Sequence, residues 1–223
     1  SAKQNNWLAS VLLESKSNKE IIEWSLAKID VSTGEFIVQE GKANNNLRQE
    51  LIKLNAAEVI SEKISISNKM WHEGIIEITE FNKTSFSNLE AINTIKNHYC
   101  LSNVDGLGIH SYPLSLRSVG GLIGYLNTTH PNLNSNNLSD KQTHISLNYP
   151  QFKPKRSGLI IDTKTRRNLE ITSTQRDGQF QGSLLWAIDK TLTAMGGRCI
   201  RRWLEEPLIN IDSIQFRQEI IGL

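Results

Sequence analysis

Trp24-Ser25-Leu26-Ala27-Lys28-Ile29-Asp30-Val31, then Ser32-Thr33-Gly34, then Glu35-Phe36-Ile37-Val38-Gln39 is the stretch on which the rest of the chain turns. Two β-rich runs flank a short loop that closes on glycine, which is the pattern of a hairpin. Apolar residues partly alternate in the first run, as in a strand with two different faces. Asp30 lies beside the turn, where an aspartate is expected to hydrogen-bond the local backbone.

Reading outward, Leu8 to Leu13 is a short apolar run suited to a buried strand. Asn44 to Leu54 places Leu47, Leu51 and Leu54 on one helical face, and Glu58-Val59-Ile60-Ser61 is a further short strand. Residues 62–84 have no clear pattern. Helices are expected near Ser87 to Asn97, with Ala91 and Ile95 four apart, and near Leu114 to Leu126. The second of these contains Gly120, Gly121 and Gly124, which weaken a helix unless its backbone must approach another element closely. Close packing on a sheet is the expectation. The Gly120/Gly124 spacing also occurs in membrane dimers, but this segment is short and carries Arg117. Strand, hairpin, helix, strand is the order of a ribonuclease-H-like mixed sheet with flanking helices. The fold class is therefore α/β, followed by a mainly α-helical part.

Asn127 to Gln142 is rich in Asn, Ser and Thr and reads as an exposed linker. His144 to Tyr149 and Gly158 to Ile161 read as short strands bracketing Pro150 and Pro154. Asp162 is placed to cap a helix from Thr163 to Thr172. Ser183 to Lys190 and Ala194 to Glu205 read as two helical segments, the second ended by Pro207. Asp212 and Gln215 form a capping-box pattern, with Ile211 placed to pack on Phe216. So well initiated a helix, stopping at Leu223, is what a piece of a longer protein would show. The expected organisation is a sheet domain over residues 1–130, a linker and entry strand over 131–150, and a truncated helical domain over 151–223.

The net charge of +2 is uneven. Residues 1–150 carry 13 Lys and Arg against 15 Asp and Glu, and residues 151–223 carry 12 against 8. The basic excess suits a nucleic-acid partner, but solvated helical surfaces show it too. Its residues come in clusters: Lys153-Lys155-Arg156, Lys164-Arg166-Arg167 and Arg198-Arg201-Arg202. Spacings of three and four put the last set along one helix face. Opposite them, Met195, Cys199 and Trp203 form an apolar stripe that reads as core. The arginines of this helix are expected to pair with Glu205, Glu206 or carboxylates elsewhere in a longer protein, ahead of meeting a DNA backbone. Arg166, Arg167, Arg198, Arg201 and Arg202 are the candidates for contacts with a DNA backbone or with another domain.

Other chemistries find little support. Cys100 and Cys199 fit no paired motif and read as reduced thiols of a cytosolic protein. His72, His98, His110, His130 and His144 are scattered without metal-ligand spacing. No apolar run is long enough for a membrane helix. A two-metal nuclease on this kind of sheet needs carboxylates at strand positions. Leu8 to Leu13 carries none, and Glu14 lies only at its end. No glycine is followed five residues later by another, so the phosphate-loop pattern is missing, and no GxSxG elbow occurs. Asp105-Gly106-Leu107-Gly108 is half a dinucleotide fingerprint and reads as a turn.

Ile161-Asp162-Thr163-Lys164-Thr165-Arg166-Arg167-Asn168-Leu169-Glu170-Ile171 closely resembles the stretch that opens the core domain of MutS mismatch repair proteins. Gly182-Ser183-Leu184-Leu185-Trp186, Asp189 to Gly196, Arg201-Arg202-Trp203-Leu204 and Pro207-Leu208 follow in the family's order and spacing. Ile29-Asp30-Val31-Ser32-Thr33-Gly34-Glu35-Phe36 resembles the connector domain of the same family. The resemblance implies a non-nuclease connector that links a mismatch-binding domain to the core. It would help pass signals between DNA and a distant ATPase, and it would offer a surface to MutL. It implies a cytoplasmic parent that is a homodimer, binds mismatched double-stranded DNA, and uses ATP and Mg²⁺. No cofactor is expected within this stretch. Two family features are missing here: the Phe-x-Glu mismatch reader, since none of the six phenylalanines has Glu two residues on, and the ATPase phosphate loop. The competing readings are a metal-dependent nuclease on the same sheet and an autonomous, non-specific DNA-binding module.

Overall fold

The computed structural model describes residues 6–15, 21–42, 44–62, 78–109, 111–129, 147–152, 158–159 and 161–222. The chain forms two compact units, one of residues 6–153 and the other built on residues 154–223.

In the first unit, strands β1 (Trp7–Ser15), β2 (Ile21–Asp30) and β3 (Phe36–Lys42) form an antiparallel meander. Strand β4 (Glu58–Ser61) lies parallel to β1, and β5 (Ile78–Glu80) parallel to β4. A two-residue strand, β6 (Gln151–Phe152), runs parallel to β3. The order β5-β4-β1-β2-β3-β6 is a ribonuclease-H-like mixed sheet.

Side chains alternate across this sheet because the strand period is two. Leu8 and Leu12 of β1, with Ala27 and Ile29 of β2 and Phe36 and Val38 of β3, enter one apolar cluster. Ala9 and Val11, with Trp24 and Leu26, enter the other. Helix α1 (Asn44–Leu54) closes the second cluster through Leu47, Leu51 and Leu54. Helices α2 (Asn88–Tyr99) and α3 (Pro113–Thr129) close the first. Each large side chain fully buried in this way contributes about 1.5–3 kcal/mol. That exceeds the yield of a surface ion pair, so patterning sets the architecture.

Helix α3 reaches the sheet over serines. Ser10 Oγ donates to the Ser118 carbonyl at 2.7 Å, and Ser25 Oγ lies 2.8 Å from Ser118 Oγ and 3.2 Å from Ser115 Oγ. The Glu40 carboxylate of β3 accepts from the Ser115 backbone N–H (3.1 Å) and hydroxyl (2.7 Å), so it caps the first turn of α3 from outside the helix.

Two of the three glycines of α3 pack closely, but not on the sheet. A Cβ on Gly120 would come 2.4 Å from Ala91 Cα on α2, and one on Gly121 would come 2.1 Å from the Phe86 ring. Gly124 has ordinary space, with Ser85 Cβ 3.6 Å away. The helix turns its glycines to α2 and the 3-10 turn Lys83–Phe86, and its serines to the sheet.

Asp30 is fully buried and organises the β2–β3 turn as expected. Its Oδ1 accepts from the Ser32 N–H (2.9 Å), the Ser32 hydroxyl (2.6 Å) and the Asn6 N–H (3.3 Å). Its backbone carbonyl accepts from the Thr33 and Gly34 N–H groups, and Gly34 takes the left-handed φ of 73° that closes the turn.

Several sequence expectations are corrected. Helix α3 continues past Leu126 to Thr129, where the Thr128 and Thr129 hydroxyls bond back to the Tyr125 carbonyl. Residues 130–142 of the expected linker lie outside the described residues. Of the strand expected at His144 to Tyr149, residues 144–146 lie outside the description and 147–149 form no strand. The Asn148 N–H bonds to the Gly34 carbonyl instead of to a ladder, and pairing begins at Gln151. The first unit therefore extends to 153, beyond the linker drawn at 131–150, because Leu147 is buried in its core and β6 completes its sheet. The strand at Gly158 to Ile161 reduces to one bridge, Gly158 to Leu208; Ile160 is outside the described residues.

The second unit contains α4 (Thr163–Asn168), α5 (Leu184–Ile188), α6 (Ala194–Glu205) and α7 (Ile211–Gly222). Asp162 caps α4 as expected, accepting from the Thr165 N–H at 2.6 Å. The helix ends at Asn168 and not at Thr172. Glu170 adopts φ 47°, its N–H bonds to the Arg167 carbonyl, and the Ile171 N–H bonds to the Arg166 carbonyl, the two bonds of a Schellman stop. In α7 the cap is Asn210, whose Oδ1 accepts from the Ser213 N–H at 2.9 Å. Asp212 instead sits in the first turn, where its charge complements the helix dipole. Ile211 and Phe216 are 68% and 64% exposed, so the staple expected between them does not form.

Hydrogen bonds from Thr165 and the Lys164 backbone and charge hold the Asp162 carboxyl below its ordinary value of 3.8. A group depressed on folding stabilises above its unfolded pKa, and that contribution is lost as pH falls through the folded value. Acidification below 3.8 should therefore fray α4 at its start. Asp162→Asn, which keeps the capping oxygen without the charge, should remove this dependence. The Thr165 amide chemical shift across pH 2 to 6 reports it; a Thr165 titration unchanged in Asp162→Asn would refute it.

Candidate functional site

The five candidate arginines all belong to the second unit, and they divide by burial. Arg166 and Arg201 turn inward and converge on Glu205. Each has Nη1 3.8 Å from Glu205 Oε1, and Arg166 Nη2 also donates to the Glu205 carbonyl at 3.1 Å. These side chains are only 16% and 18% exposed, so this is an internal charge cluster tying α4 to α6. Breaking it would leave two part-buried cations poorly compensated. Arg198 is half-buried and Arg167 and Arg202 are exposed; Arg167 Nη2 reaches the Gln175 carbonyl at 3.4 Å. Of the five, Arg167 and Arg202 present most of their surface to a partner. The shared face expected of Arg198, Arg201 and Arg202 is thus split, because adjacent helix positions point about 100° apart.

The stripe opposite them is not core along its length. Met195 is 80% exposed, while Cys199 and Trp203 are half-buried. The Trp203 ring is covered by the Arg217 guanidinium of α7, 4.3 Å from its centroid. The Arg201–Glu205 contact has the i,i+4 spacing of a helix ion pair and is legible in the sequence, whereas Arg166 and Arg217 reach α6 from α4 and α7 and carry no local signal.

The sheet of the first unit has serines where its two parallel central strands adjoin. Ser10 Oγ bonds to α3, and Ser61 Oγ donates to the Val11 carbonyl at 2.7 Å. Just past β4, Glu62 is held by Arg117, Nη2 to Oε1 at 3.0 Å, and Arg117 Nε donates to the Phe86 carbonyl at 2.7 Å. Glu62 and Arg117 line a shallow, open pocket of about 550 Å³ with Lys83, Thr84 and Ser87. Among the described residues no three His, Cys, Asp or Glu side chains are grouped to hold a metal ion. Cys100 and Cys199 are free thiols. Of the histidines only His98 is described, packed edge-on to Tyr99 with ring centroids 4.7 Å apart; His72, His110, His130 and His144 lie outside the described residues. Among the described residues no helix is long and apolar enough to cross a membrane.

This arrangement fits known family models. Residues 6–177 match MutS domain II, and residues 164–223 match MutS domain III. The chain belongs to the MutS family. The first unit of this MutS chain falls within the domain II match, and all five candidate arginines fall within the domain III match. Over its whole length the chain is 74% identical to the DNA mismatch repair protein MutS of Prochlorococcus marinus strain NATL2A. It is 48% identical to that of Prochlorococcus marinus strain SARG and 44% identical to that of Synechococcus sp. strain WH7803, again over the whole chain. It spans 24% of the length of each of these relatives.

Proposed function

We propose that this chain is the connector, with the entry to the core, of a DNA mismatch repair protein, and that it acts without catalysing a reaction. The observation that carries this is the identity to MutS proteins over the whole of this chain, running through both a domain II and a domain III match. In this reading the rigid first unit links a mismatch-reading part to the core, passes conformational change between DNA and an ATPase, and offers a docking surface to MutL. Mismatched duplex DNA, a second MutS subunit, ATP and Mg²⁺ are bound by parts outside this stretch. The parent works in the cytoplasm. Of the five candidate arginines, Arg167 and Arg202 are the exposed ones, and they would make any non-specific contact of this stretch with a DNA backbone.

The nuclease reading is disfavoured by the serines of β1 and β4, which spend their hydroxyls on internal bonds. Fluorescence anisotropy with matched and single-mismatch duplexes at moderate salt tests the assignment. Binding in the non-specific range, with Kd between about 10⁻⁴ and 10⁻⁶ M and no preference for the mismatch, is expected. A clear preference would assign mismatch reading to this stretch and end the division of labour proposed. Cleavage of either duplex on adding Mg²⁺ or Mn²⁺ would restore the nuclease reading.

A further inference from the structure

Residues 147–152 are fastened to the first unit by a series of separate small contacts. Leu147 is buried in the α2/α3 cluster. Asn148 is held through both sides of its backbone: its N–H donates to the Gly34 carbonyl at 2.9 Å, and its carbonyl accepts from the Tyr99 hydroxyl at 2.7 Å. The Tyr149 ring lies 5.0 Å from that of Tyr99. Gln151 and Phe152 pair with Ile37 and Val38, and the Phe152 ring stacks on Tyr112 at 4.5 Å and 21°.

The seat for this strap is built from other elements. The Asp30 carboxylate fixes the turn that presents the Gly34 carbonyl, and Tyr99 projects from the last turn of α2. Burial keeps the Tyr99 hydroxyl protonated well above the usual range of a phenol, so its donor role persists wherever the chain is folded. The strap itself is weakly built. Its ladder is two residues long at a sheet edge, and Tyr149 is 56% exposed. The β1–β2–β3 ladder uses none of its atoms. Segments with few buried contacts open at lower free energy than the core they rest on.

We propose that residues 147–152 are a latch, which opens as a unit while strands β1, β2 and β3 stay folded. The latch goes beyond the functional assignment and holds whether or not that assignment does.

Amide hydrogen exchange on the 223-residue chain tests it. Asn148 should exchange faster than the central amides of β1 and β2, through an opening insensitive to low urea. Tyr99→Phe keeps the ring and removes the donor. It should speed Asn148 exchange roughly 3- to 10-fold, the size of one net hydrogen bond, and leave the β1 and β2 amides unchanged. Phe152→Ala should do the same by removing the stack on Tyr112, and it serves if Tyr99→Phe folds poorly. Three results would overturn the latch: exchange of Asn148 in step with β1 and β2 in the unaltered chain, equal acceleration of all amides by both variants, or no change at Asn148 in either.

Discussion

Gly120→Val should lower the melting temperature of the first unit by roughly 10 °C or more, or prevent its folding. An added Cβ would stand 2.4 Å from both Ala91 Cα and Ala91 Cβ and 2.8 Å from the Ala91 carbonyl oxygen. The obstacle is mostly backbone, so α2 must shift as a body, and α2 is held by Ala91 and Ile95 in the core. Overpacking of this kind costs about 1–3 kcal/mol, and more where backbone has to move. In a unit of this size each kcal/mol is worth about 3–4 °C. Gly124→Ala, one turn along the same helix, should act in the opposite direction. Its Cβ meets Ser85 at an ordinary 3.6 Å, and alanine favours a helix interior over glycine by about 1 kcal/mol. Thermal melts of the two variants check this directly. Equal tolerance at both positions would mean that α2 and α3 do not meet at Gly120.

Separation at 153/154 should leave residues 6–153 with a cooperative unfolding transition and residues 154–223 with none. Of the 29 buried hydrophobic side chains among the described residues, only Ile171 and Leu185 belong to the second unit. Two such side chains offset the conformational entropy of only a few ordered residues. Leu192, Met195 and Phe216 are meanwhile 100%, 80% and 64% exposed, so the isolated helices should also tend to self-associate. Circular dichroism melts of the two pieces decide the matter. A sharp, concentration-independent transition in residues 154–223 would show that its helices hold together by more than this burial.

The sheet was legible where local pattern carries the physics. The hairpin around Ser32-Thr33-Gly34, the Leu47/Leu51/Leu54 face and the run from Leu8 to Leu13 each show their period within a few residues. What escaped depends on partners distant in the chain. Nothing near Ser25 announces Ser118, and nothing near Ser115 announces the Glu40 carboxylate. The glycines of α3 announced close packing but not its direction, because both faces of that helix are covered. Asn210 and Asp212 are both good caps two residues apart, and the local sequence does not choose between them. Among the candidate arginines, charge clustering found the right region. It could not separate Arg166 and Arg201, drawn inward by Glu205, from Arg167 and Arg202, which remain at the surface.

Strand β1 lies between β2 and β4 and contributes side chains to both apolar clusters, and this imposes an order of events on synthesis. It is synthesised before the elements that cover it, and β2 can pair with it at once. The helix that covers one of its faces is complete only at Thr129. At roughly 5–20 residues per second, the stretch from Ile29 to Thr129 leaves an interval of about 5–20 s in which Leu8, Leu12, Ala27 and Ile29 are made but unroofed. A nascent chain of this family should therefore hold an open apolar sheet for seconds, and that window is when a chaperone would be of most use to it.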